Sequence, residues 1–132
     1  MSAEPKLTEP AADPQQSIHE TGETPDLEPL TAAGIRAAEI DAGSIDSKQD
    51  LMAAISEALE LPDYFGGNWD ALDEVLRDLG WLEADGHVVV VTGAEGLRSR
   101  SPELAEGLVK SWTWAAEKWG AEGVPFHLVL VR

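Results

Sequence analysis

Val88 to Val91 are four consecutive valines, and they constrain the fold more than any other feature of this chain. Successive side chains of a strand point to opposite faces, so an unbroken apolar run needs cover on both. His87 to Thr92 is therefore expected to be a buried strand. Val124 to Val131 reads as a second one. Between them, Ser101-Pro102-Glu103 supplies a cap, a proline at the first helical position and an acid, a strong helix start. Leu104, Leu108, Trp112, Ala115 and Trp119 line the core face of that helical segment, with Gly107 a candidate break into two helices and Gly120 and Gly123 as terminators. A helical crossover between two apolar strands is the signature of parallel pairing.

Upstream, Arg36 to Ile45 alternates weakly and is expected to form a first strand, with Asp41-Ala42-Gly43 as a turn or bulge. Ser47 is a good N-cap, Asp50 suits the first turn, and Leu51, Ile55, Ala58 and Leu59 make one helical face. Leu61-Pro62 stops that helix. A second helix is expected from Asn68 as N-cap to about Leu79, with Gly80 ending it. The order β-α-α-β-α-β implies an α/β domain with a small three-stranded parallel sheet and helices packed against it.

The segment 1–34 differs in kind. It holds five of the eight prolines, seven acidic residues and one basic residue, Lys6, with no helical or strand periodicity. Such a composition buries too little to offset the entropy of ordering. The expected organisation is a disordered, acidic, proline-rich tail over 1–34 and one domain over 35–132, since 132 residues hold a single well-cored unit. The net charge of −16 argues against nucleic acid or an anionic membrane as partner and favours a basic protein, a cation or plain solubility. Without cysteine there is neither a disulfide scaffold nor a thiolate zinc site. The N-terminus lacks the n- and h-regions of a signal peptide, so the expected location is cytoplasmic.

The stretch Leu61 to Trp81 carries the functional signal. Trp69, Leu72, Val75, Leu76 and Leu79 form one apolar stripe, while Asp70, Glu74 and Asp78 recur at i, i+4, i+8 on the other side. Like charges at that spacing oppose an isolated helix by a few tenths of a kcal/mol per step. Their repetition points to charge placed for a positive partner; the plain alternative is a solvated face. Asp73 and Arg77 have the order of a weak surface pair. Gly66 and Gly67 suit positive φ or a close approach. Tyr64 fits either an interface contact or a half-buried staple. Trp114 projects off the apolar stripe beside Lys118 and fits either an exposed interaction or packing under the tail. His87 and His127 have no partner at ligand spacing and are expected to be structural.

Leu61-Pro62-x-Tyr64-Phe65-Gly66-x-Asn68-x-Asp70-Ala71-Leu72 resembles the signature of the barstar family, intracellular inhibitors of barnase-type secreted ribonucleases. The resemblance implies a protein that is not an enzyme, with no catalytic residue, metal or cofactor. Its implied partner is a basic extracellular-type ribonuclease, and the free chain would be monomeric. The resemblance makes Tyr64 and Asn68 loop contacts, Asp70 and Glu74 the leading carboxylates, Trp81 a rim aromatic and Glu83 a peripheral acid. Four departures stand out. Glu74 replaces the shorter aspartate, Asp73 stands where the family archetype has a tryptophan, and Trp69 carries an aromatic elsewhere on the helix. Lys118 falls where the archetype has a contacting glutamate. The partner-binding set is thus Tyr64, Asn68, Trp69, Asp70, Asp73, Glu74, Trp81 and Glu83. Two other functions compete: an acidic regulatory module for another basic protein, and a metal-dependent hydrolase built on Asp70, Asp73 and Glu74.

Overall fold

In the structure, a computed structural model, residues 6–63 and 65–132 are described. Four strands form one parallel sheet in the order β1-β4-β3-β2: β1 Ile18–Thr21, β2 Ile35–Asp41, β3 Gly86–Thr92 and β4 Phe126–Val131. The helices are α1 Glu28–Ala32, α2 Lys48–Ala58, α3 Trp69–Asp78, α4 Ala94–Arg100 and α5 Pro102–Ala121, with short 3-10 turns at Pro14–Ser17 and Ala42–Ser44. The two apolar runs are the two central strands, buried along their whole length except for Thr92 at the end of β3.

The sheet has four strands where three were expected, and the fourth comes from the segment read as a tail. The described part of that segment carries β1, α1 and the first 3-10 turn. The valines account for this. Val89 and Val91 of β3, with Leu128 and Leu130 of β4, face α2, α3, α4 and α5. Val88, Val90, Val129 and Val131 point the other way and meet Leu7, Leu30 and Ile35. Burying a valine side chain is worth roughly 1.5–3 kcal/mol, so four left to water would cost about as much as a domain's entire stability. The segment supplies the second cover that its own composition gave no reason to expect.

Polar contacts hold it there. His127 Nε2 lies 2.6 Å from the Glu9 carbonyl, which can only accept, so this nitrogen carries the proton. Nδ1 of His127 then accepts from His19 Nε2–H at 2.9 Å. Both rings are held neutral: burial, then the neighbouring His127, lowers the His19 pKa to about 4, and burial lowers that of His127 against the opposing pull of the Glu9 carbonyl. No partner was expected for His127, yet it has one in His19, which comes from β1.

Smaller differences have local causes. β2 ends at Asp41, whose carboxylate accepts from Gly43 N–H and turns the chain where a turn or bulge was expected. Residues 94–100 form α4, which no cap or periodicity announces. Gly107 does not break α5, a continuous helix of 20 residues. Leu79, rather than Gly80, takes the left-handed conformation after α3 (φ 51°), held by a side chain buried in the core.

Candidate protein-binding face

Asn68 starts α3 as expected, its Oδ1 accepting the Ala71 N–H at 2.8 Å. Gly67 before it has φ 69°, a conformation that favours glycine. Leu72, Val75 and Leu76 anchor the helix to the core. Its C-terminal carbonyls, which a helix leaves unpaired, are met from α5. Trp119 Nε1–H donates to the Leu76 carbonyl at 2.8 Å, and the Lys118 ammonium donates to the Arg77 carbonyl. A cation at that end also complements the macrodipole. Lys118, a departure from the family pattern, is thus a brace on α3.

Asp70, Glu74 and Asp78 are exposed along the outer side of the braced helix. Among the described residues no carboxylate of α3 forms an ion pair. The expected Asp73–Arg77 pair is absent. Arg77 instead lays its guanidinium over the Trp114 ring, 4.3 Å from the centroid. Asp73 is half-buried, with Oδ1 shut off from water and without a donor among the described residues.

The remaining candidates divide between two hollows. Trp69 and Asp73 line an open one of about 760 Å3, bounded by α5 and by Asp13-Pro14-Gln15. Trp81 and Glu83 line another of about 640 Å3, beside Arg36 and Glu60, which pair at 3.0 Å. Trp81 is fixed there by Nε1–H donating to the Leu59 carbonyl at 3.0 Å. Trp69 rests on α5 where residue 107 is glycine; a Cβ there would lie 2.5 Å from the ring. Gly107 marks a close approach between helices, which a single chain pattern cannot distinguish from a break. Tyr64 lies outside the described residues. The contributions of Glu103, Lys110, Trp114 and Glu117 to the first hollow were missed, although Trp114 off the apolar stripe was a visible sign of them.

No three acidic or histidine side chains converge as a metal site would require among the described residues, and no helix there is long and apolar enough to cross a membrane. Residues 35–131 match the family model described as Barstar (barnase inhibitor). The chain belongs to the barstar family. No curated protein matches it in sequence. Among solved structures it is similar to a chain in "Structure of Drosophila ORC bound to DNA", with 16% identity and a TM-score of 0.52. That match covers 87% of this chain but only 31% of the other. At this identity the likeness is one of fold alone.

Proposed function

We propose that the chain inhibits a basic, secreted-type ribonuclease by laying α3 into its phosphate-binding cleft. The observation that carries this reading is a row of carboxylates on one braced helix, with no ion pair to any of them among the described residues. A ribonuclease must hold a phosphodiester, so its cleft presents Arg, Lys and protonated His groups suited to oxyanions. Asp70 and Glu74 stand in for phosphates, and Asn68 fixes where the helix begins. Trp69 and Asp73 flank the ridge on one side; Trp81 and Glu83 complete the rim, and the family resemblance adds Tyr64 as a loop contact. The inhibitor is not itself an enzyme, acts in the cytoplasm and is monomeric when free. A net charge of −16 speeds encounter with a basic enzyme in a salt-dependent manner.

The test is inhibition of RNA cleavage across a panel of secreted bacterial ribonucleases. Stoichiometric inhibition of at least one is expected, with association slowing as salt is added. Full activity of every enzyme in the presence of excess inhibitor would sink the reading.

A further inference from the structure

The hollow between α3, α5 and the Pro14–Ser17 turn has the volume of a small-molecule site. Two of its walls are indoles, Trp69 and Trp114, and four lining residues are carboxylates: Asp13, Asp73, Glu103 and Glu117. Lys110 is the one cation among the lining residues. Ser111 also lines it and is only 5% exposed. The Oδ1 of Asp73, another lining residue, is a buried polar atom with no hydrogen-bond partner among the described residues, where such an atom normally has one.

The chemistry selects the ligand by sign. An anion would meet the excess of carboxylates, and a neutral apolar molecule would strip them of water without compensation. A cation gains from both the carboxylates and the indole faces. One such pairing already exists at the edge, where Arg77 stacks on Trp114. We propose that this hollow binds an organic cation, a guanidinium or alkylammonium group, stacked on an indole and paired to Asp73 and Glu117. The cation is either a free amine or guanidine metabolite or the basic side chain of a bound protein. The site does not depend on the ribonuclease reading, and Asp13 and Gln15 in its wall lie outside the family match over 35–131.

The full chain is titrated with agmatine, and with glutarate as the anionic control, while the five tryptophan indole N–H resonances are followed by NMR. Saturable shifts confined to Trp69 and Trp114, with agmatine alone, are expected. Asp73→Asn and Trp114→Ala should each weaken binding about tenfold. Trp114 is 47% exposed, so its loss spares the core, and a melting curve verifies the fold of each variant. No saturable shift, equal shifts at all five indoles, or unchanged affinity in both folded variants overturns the proposal. Agmatine displaced by an inhibited ribonuclease assigns the cation to that enzyme's side chain; agmatine bound alongside it assigns a free metabolite. If no ribonuclease is inhibited, the agmatine titration stands unaffected, so the two readings fail separately.

Discussion

Asp70 and Glu74 stand one helical turn apart with no ion pair to either among the described residues, so their charge is available to a partner and a burden to the helix. Asp70→Ala and Glu74→Ala should each weaken ribonuclease binding roughly ten- to a hundredfold, as expected for a lost charge-assisted hydrogen bond. Glu74→Ala should not lower the melting temperature, because it removes two like-charge steps, and Asp70→Ala should move it little, because that acid also favours the first turn of the helix. Titration calorimetry and a thermal melt on the same samples separate the two effects; wild-type affinity in both variants would remove the helix from the interface. Gly107 presents the opposite case, a residue whose value is wholly structural. Alanine there gains about 1 kcal/mol of helix propensity, but its Cβ collides with the Trp69 ring, and overpacking costs about 1–3 kcal/mol. A net loss near 1 kcal/mol is expected in denaturant titrations, with altered Trp69 emission.

Among the elements, α3 was legible because its determinants are local: a cap, a stripe and a repeated acid. The two central strands were legible for the same reason, each being an apolar run too short for anything but a strand. β1 was not, since Ile18-His19-Glu20-Thr21 has no pattern of its own and is a strand only because β4 offers an edge to it. α4 was missed because two glycines and no side-chain cap leave nothing to read. Of the candidate site, the acids and the cap lay where expected. The walls that α5 and the N-terminal segment contribute depend on tertiary contact and left only Trp114 as a trace. The acidic spacing of α3 also makes a prediction for the element as a whole. Glu74→Lys turns two repulsive steps into two attractive ones and should stabilise the chain by about 0.5–1 kcal/mol in urea titrations. The same change should abolish inhibition. A variant that is no more stable would mean that the charges do not strain the helix.

For the molecule as a whole, three histidines are kept neutral. His87 is lowered to about 4 by burial first and the Arg36 charge second, and His19 to about 4 by burial and His127. Their unfolded value is near 6.5. A depressed folded pKa means that the unfolded chain takes up protons first as the pH falls. Stability should therefore hold above about pH 6.5 and decline from there towards pH 4, by on the order of 2–3 kcal/mol for the well-buried His87 alone. Glutamine at residue 87 should flatten that part of the profile; an unchanged slope would locate the titrating groups elsewhere. Deleting residues 1–21 removes β1 and Leu7, uncovering both the edge of β4 and the second valine face. The shortened chain should be less stable and should self-associate, as light scattering would reveal.

The seating of β4 between β3 and β1 also orders events in time. His19 and His127, paired across neighbouring strands, are 108 residues apart in the chain. During synthesis β1 is made early and has no edge to join until β4 emerges, and the second valine face stays wet for the same interval. Contacts of such long sequence separation form late and slowly. In pulse-labelled hydrogen exchange, the amides of β1 should gain protection only together with those of β4, after the amides of α3 are already protected. The acidic ridge would then take its shape before the sheet beneath it has closed.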